Sequence, residues 1–150
     1  YGLYDFLAKF VQQDGVSLPG EMFEYNSANA DVIGWLIARL SDMPLHDFIS
    51  RYIWSKLGTY HDAAIVVDRA YMPVATAGMT STVRDAALFG QLVLNRGHAN
   101  GEQLVPAAWI DETLKLDEFD RQRYAKNSLY GNEWWQYYKN MWWILDPSKG

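Results

Sequence analysis

Phe23-Glu24-Tyr25-Asn26-Ser27-Ala28-Asn29 gathers one phenol and several short hydrogen-bonding side chains just ahead of an apolar run. If that run is a helix, its first turn offers unpaired amide groups and a local positive potential, which favours a negative charge nearby. A phenol with an ordinary pKa near 10 is a poor base at neutral pH, but such a setting with a neighbouring lysine lowers that value. Tyr25 could then exchange a proton with a serine nucleophile. The same residues admit a plainer reading, in which Tyr25 is one of ten tyrosines packed beside the helix and Asn26 or Ser27 is its N-cap.

Two other groups of residues could carry chemistry. His46-Asp47 and His61-Asp62 pair imidazole with carboxylate, as a divalent-metal site would, but nothing supplies the remaining ligands at a workable spacing, so no metal is expected. Eight tyrosines and tryptophans fall between Tyr124 and Trp143. Such a cluster can form a platform for a sugar or peptide, with Trp134, Trp135, Tyr137 and Tyr138 as pocket lining. The simpler alternative is a strand buried on both faces, which suits Trp142 and Trp143 best.

The elements that must position these residues follow from periodicity. Leu3, Phe6, Leu7 and Phe10 fall at helical spacing within a segment running to Gln13, and Gly15 with Pro19-Gly20 closes it. An extended stretch, 21–27, leads into a helix from about Ala28 to Leu40. Val32, Ile33, Leu36, Ile37 and Leu40 line one side and Trp35 widens the arc, so this helix is expected to be central and largely buried. Pro44 opens a second helix with apolar residues from Leu45 to Leu57, and Gly58 sits where a left-handed cap is wanted. Ile65-Val66-Val67 reads as a short strand within 62–68, and a third helix starts at Thr80 or Ser81 and ends before Gly97. Asn100-Gly101 is a turn between short extended pieces, and Pro106 introduces a helix over 107–115. Residues 116–128 are charged and unpatterned, which predicts a surface loop, and Trp134 to Asp146 reads as one strand. The pattern predicts an α+β domain cut partway through its sheet.

Composition narrows the classes. The chain has 150 residues, 49% of them hydrophobic, and no cysteine, which excludes a thiol nucleophile, a disulfide scaffold and a disordered segment. Its formal net charge is −5 with basic residues scattered singly, so a nucleic-acid partner is not expected. No uninterrupted apolar run approaches the roughly 20 residues that span a bilayer.

Phe23 to Gly34, reading FEYNSANADVIG, resembles the second motif of the penicillin-recognising serine hydrolases, the β-lactamase-like superfamily. That superfamily includes class C β-lactamases, DD-peptidases, family VIII esterases and 6-aminohexanoate-dimer (nylon-oligomer) hydrolases. The usual motif is Tyr-x-Asn, and Ser27 in its third position resembles the nylon-oligomer hydrolase branch and some esterases. The resemblance continues through Trp54-Ser55-Lys56-Leu57-Gly58, His61-Asp62, Val67-Asp68 and Ala77 to Asp85 with Phe89-Gly90. It ends with Leu104 to Trp109 and Tyr138 to Trp143, so it covers nearly the whole chain.

The resemblance implies a partial β-lactamase/DD-peptidase-like fold, a helical region plus part of an antiparallel sheet. It implies a two-step acyl transfer on a small-molecule amide or ester without a metal or organic cofactor. Tyr25 would relay the proton, Ser27 would bind the catalytic lysine or the substrate amide, and Asn29 would support the loop. Family members attack with the serine of a Ser-x-x-Lys motif, one helical turn ahead of the lysine. No serine in residues 1–150 has lysine three positions on; Ser81-Thr82-Val83-Arg84 comes nearest, and a guanidinium is no base. The family's Lys-Thr-Gly or His-x-Gly motif is also missing, and Ser148-Lys149-Gly150 is no substitute. The expectation is therefore a middle-to-later portion of a longer serine hydrolase domain, carrying one catalytic motif of three and inactive by itself. The competing expectation is a non-catalytic relative or aromatic-lined module that binds a peptide or glycan.

Overall fold

The computed structural model describes residues 2–9, 18, 20–115, 117–126, 135–145 and 148. Among them are six α-helices and three two-stranded antiparallel sheets, the α+β class the sequence predicts. The chain divides into two units, residues 1–11 with 27–107 and residues 12–26 with 108–150.

In the first unit α1 (Leu3–Leu7) is shorter than its apolar spacing suggests, and residues 10–17 lie outside the described set. Its start is fixed by Asp68, whose carboxylate accepts from the Leu3 amide at 2.5 Å, and the Tyr4 ring stacks on Trp35 at 4.8 Å. α2 (Ala28–Ser41) forms where expected, but it is not buried all round. Asp31 and Gly34 are buried, whereas Val32, Ile33, Leu36 and Leu40 are exposed, Leu40 by 87%. Those four residues span roughly 100° of arc on the side away from Asp31 and Gly34, at 100° of turn per residue. Apolarity on both sides therefore overstates what this helix covers among the described residues. On the packed side, a Cβ added to Gly34 would lie 2.8 Å from the Ala75 methyl and 2.9 Å from a Leu45 methyl, so only glycine lets these neighbours approach.

α3 (Leu45–Tyr52) starts after Pro44 and stops five residues early, because Ile53 leaves helical dihedrals at φ −125, ψ −67. A 3₁₀ turn at Trp54–Lys56 carries the apolar spacing to buried Leu57, and Gly58 takes its left-handed cap at φ 76. Of the β-branched run only Ile65 falls in a strand, β1 (Ala64–Ile65), which pairs with β2 (Met79–Thr80), while Val67 makes an isolated bridge to Pro73. Thr80 is thus used in a strand, and the cap of α4 (Val83–Leu94) is Thr82 rather than Thr80 or Ser81. The Thr82 hydroxyl oxygen accepts from the Asp85 amide at 3.1 Å. Asp85, fully buried, accepts in return from the Thr82 hydroxyl at 2.8 Å, the Tyr60 amide at 2.8 Å and His61 Nδ1 at 3.2 Å.

After α4, Gly97 adopts φ 83 and donates to the Leu92 carbonyl at 2.8 Å, a Schellman-type ending. Its own carbonyl accepts from Leu104 at 2.9 Å and Val105 at 3.1 Å, and a Cβ at this position would sit 2.0 Å from the Val105 carbonyl oxygen. β3 (His98–Ala99) and β4 (Glu102–Gln103) are joined through Asn100 and Gly101 at φ 46 and 83, the hairpin turn this dipeptide favours.

α5 (Ala107–Leu114) opens at the last residue of the first unit and runs into the second. In the second unit the expected loop at 116–128 contains instead α6 (Glu118–Ala125). This helix is polar nearly all round and is held by its ends and its pairs. Asp117 caps it by accepting from Phe119 N at 2.8 Å, while Arg121 pairs with Glu118 and Arg123 with Asp120 three residues apart. The single strand expected at Trp134–Asp146 is a hairpin, β5 (Trp135–Lys139) and β6 (Trp142–Leu145), turning at Asn140 and Met141 with φ 49 and 68. Asparagine tolerates that conformation readily and methionine does not, so the sequence carries only half of a turn signal. Among the described residues of this unit Ile110, Thr113, Tyr124 and Tyr137 are buried, while Trp142 and Trp143 are half-buried.

Candidate active site

Tyr25 follows an extended segment that the second unit fixes by a bond from the Phe23 amide to the Arg123 carbonyl, 3.2 Å. Its ring is stacked on Trp143, with centroids 5.5 Å apart and planes at 29°, and meets Tyr138 edge-on at 5.6 Å. Tyr138 in turn meets Trp143 edge-on at 4.9 Å and packs against Phe23 at 5.1 Å. Offset stacking and edge contacts of this kind hold a ring's orientation beyond what burial alone does. Tyr25 nevertheless keeps 39% of its surface exposed, so it is gripped without being sealed off.

The other aromatic candidates separate. Tyr138 lines a recess of about 250 Å³ together with Phe23, Glu24, Arg123 and Lys139. Its phenol is pushed above the ordinary tyrosine value, first by burial and then by the proximity of a second phenol, Tyr25, so it stays protonated at neutral pH. Tyr137, expected to line a pocket, is 1% exposed and donates its hydroxyl to the Leu114 carbonyl at 3.0 Å, which makes it a core anchor. Neighbouring residues on a strand point to opposite faces, which is why 137 and 138 differ. Trp134 and the Trp135 side chain lie outside the described residues.

Lys139 was not singled out by sequence reasoning. Its ammonium lies 2.7 Å from Glu112 and 2.9 Å from Asp120, and hydrogen bonds to these two carboxylates raise its pKa far above the ordinary lysine range. It is a fixed cation and cannot serve as a base.

In the first unit Ser27 occupies the N-cap of α2 with helical dihedrals (φ −56, ψ −35), and its hydroxyl makes no capping bond. The plain N-cap reading therefore does not describe this side chain. Asn29 is exposed in the first turn. The side chain that ties this turn down is Asp31, buried, with one oxygen accepting from the Ala75 amide at 2.9 Å and the Thr76 amide at 3.0 Å. Its other oxygen meets the Thr76 hydroxyl, which also lies 2.8 Å from the Ser27 carbonyl. The only hint in the sequence is a carboxylate in the first turn of an otherwise apolar helix.

Neither histidine pair forms a metal-binding unit with its neighbouring aspartate. His46 lies 3.6 Å from its exposed neighbour Asp47, and His61 reaches Asp85 rather than Asp62. Among the described residues no three His, Asp or Glu side chains converge as a metal site would.

Comparison with known proteins places these features in context. The family described as Beta-lactamase matches residues 3–150. A 6-aminohexanoate-dimer hydrolase of Paenarthrobacter ureafaciens is 32% identical over 139 residues, covering 88% of this chain and 34% of that protein. A solved Bacillus anthracis structure, provisionally described as a 6-aminohexanoate-dimer hydrolase, superposes with a TM-score of 0.80 at 31% identity over 95% of this chain and 34% of its own. A Bacteroides dorei DSM 17855 structure, provisionally described as a β-lactamase, shares the fold with a TM-score of 0.61 at 18% identity, over 79% of this chain and 36% of its own. The chain thus spans about a third of the length of the relatives it matches.

Proposed function

This chain belongs to the β-lactamase family, and from that premise we propose that it is part of a serine hydrolase that cleaves small amides or esters through an acyl-enzyme. The observation that carries the proposal is the Tyr25-x-Ser27 motif. Tyr25 is an exposed phenol held between Trp143 and Tyr138, and the Ser27 hydroxyl is not used in capping its helix.

In this reading the nucleophilic serine belongs to a Ser-x-x-Lys motif supplied from beyond these 150 residues. Its oxygen attacks the substrate carbonyl while its proton passes, directly or through the lysine, to Tyr25, which would act as a phenolate favoured by that lysine's positive charge. Tyr25 then protonates the departing amine or alcohol, and an acyl-enzyme remains. Water reverses the sequence: it loses a proton to Tyr25 and attacks the ester, Tyr25 passes that proton to the departing serine oxygen, and the acid is released. Ser27 would hydrogen-bond the lysine or the substrate amide, Asn29 would support the loop, and Trp134, Trp135 and Tyr138 would border the substrate. The similarity to a 6-aminohexanoate-dimer hydrolase supports a linear amide as the first substrate to try.

The test is pre-steady-state hydrolysis of a short p-nitrophenyl ester, and turnover of 6-aminohexanoate dimer, by the full-length protein. A burst of one p-nitrophenolate per active site is expected. Absence of both burst and turnover would sink the hydrolase reading. It would favour the second reading, a non-catalytic module that binds a peptide or glycan on the Phe23, Tyr25, Tyr138 and Trp143 cluster.

A further inference from the structure

We infer that Asp31 and Thr76 are positioning residues of this site, acting through Ser27, an inference that rests on the acyl-transfer reading above. Ser27 is at the N-terminus of α2, and its hydroxyl is not fixed by the helix it starts. What holds the residue is its backbone: its carbonyl accepts from the Ala30 amide at 3.1 Å and lies 2.8 Å from the Thr76 hydroxyl. That hydroxyl has a single proton, shared between the Ser27 carbonyl and the Asp31 carboxylate, and the same carboxylate takes the Ala75 and Thr76 amides at 2.9 and 3.0 Å. One buried side chain therefore ties the first turn of α2 to a segment more than forty residues later and, through Thr76, to Ser27 itself.

A carboxylate in the first helical turn needs no such arrangement to benefit from the helix dipole, since an exposed one benefits too. Burying it costs desolvation, which its hydrogen bonds must offset. The return on that cost is a rigid backbone at Ser27. Gly34, one turn on, lets the same segment approach through Ala75, so both contacts press α2 and residues 75–76 together. With the carbonyl of Ser27 fixed, only rotation about its Cα–Cβ bond remains, and its hydroxyl is confined to three staggered positions.

The test uses the full-length protein at a temperature where circular dichroism shows every variant folded. Thr76→Val removes the hydroxyl that touches Ser27 and keeps the shape, and Thr76→Ser restores it. Thr76→Val is expected to lower kcat by up to about 10²-fold with KM little changed, the scale of a misplaced group, and Thr76→Ser is expected to recover most of it. The deciding measurement is a double-mutant cycle with Ser27→Ala: once the Ser27 hydroxyl is gone, Thr76→Val should cost almost nothing more. If Thr76→Val does not fold, Asp31→Asn in the same cycle replaces it. An equal loss with and without the Ser27 hydroxyl, or a lower melting temperature with unchanged kcat, would overturn the inference while leaving the hydrolase reading intact. A wild-type protein without burst or turnover would remove both.

Discussion

The Trp143 indole and the Tyr25 ring are stacked at 5.5 Å, a contact that joins the second strand of a hairpin to the residue proposed to move a proton. Tyr25 keeps 39% of its surface exposed, and the stacked indole is one of the contacts that set the orientation of its ring. In the full-length protein Tyr25→Phe is expected to lower turnover about 10²-fold, the usual scale for a lost general acid or base. Trp143→Ala should act on the same step more weakly and in kcat, while Trp143→Phe keeps a stacking surface and recovers most of the loss. Steady-state kinetics on a p-nitrophenyl ester checks all three, and wild-type turnover in Tyr25→Phe would refute the assigned role.

Tyr137 and Tyr138 are adjacent and should respond differently. Tyr137→Phe removes the bond to the Leu114 carbonyl and leaves that oxygen unpaired, costing about 1–2 kcal/mol of stability. Its KM should not change. Tyr138→Ala opens the recess it lines with Glu24 and Lys139, removes its edge contact to Tyr25 and should raise KM, so paired melting and kinetic measurements separate the core tyrosine from the pocket tyrosine.

Asp85 joins α4 to Tyr60 and His61. Its pKa is held below the ordinary aspartate value, chiefly by the Tyr60 amide and further by the Thr82 hydroxyl and His61, against the opposing effect of burial. A depressed pKa stabilises the fold above the unfolded value, about 3.9, and that stabilisation is lost as pH falls through the lower folded value. Melting temperature should therefore drop on acidification below about pH 4, and Asp85→Ala, which is expected to melt lower at neutral pH, should show a shallower acid slope.

Lys139 gives the opposite sign. Bonds to Glu112 and Asp120 raise its pKa, so its stabilisation is complete below the unfolded lysine value, about 10.4, and disappears only as pH rises through the higher folded value. Raising pH from 7 to 9 should leave this contribution untouched. Lys139→Met leaves two carboxylates facing each other and should cost about 1–3 kcal/mol, reduced by the exposure of Glu112. Chemical denaturation at pH 7 measures the loss.

What could be read from the sequence was whatever has a local cause. α2, α3, the Gly58 cap and the Asn100-Gly101 hairpin follow from spacing and turn chemistry. α6 was invisible because no apolar stripe marks it, and its supports are a cap and charge pairs. The terminal hairpin was hidden because Met141 occupies a left-handed position that methionine rarely takes. In the site, Tyr25 and Ser27 were legible as a short motif. The bonds from Asp31 to Ala75 and Thr76 were not, because a single sequence does not reveal which distant amides a carboxylate will meet. The same limit hid the ion pairs of Lys139, whose partners come from two different helices.

Gly97 has a consequence for how this chain would appear in a saturation-mutagenesis screen. Every side chain would collide with the Val105 carbonyl there, on top of a backbone angle that L-residues avoid. Scored by survival alone, position 97 would look as indispensable as Tyr25, although no role in the proposed chemistry is assigned to it. Soluble abundance measured alongside activity tells the two apart. Substitutions at 97 deplete the protein, whereas Tyr25→Phe is expected to leave the amount of protein intact and remove its turnover.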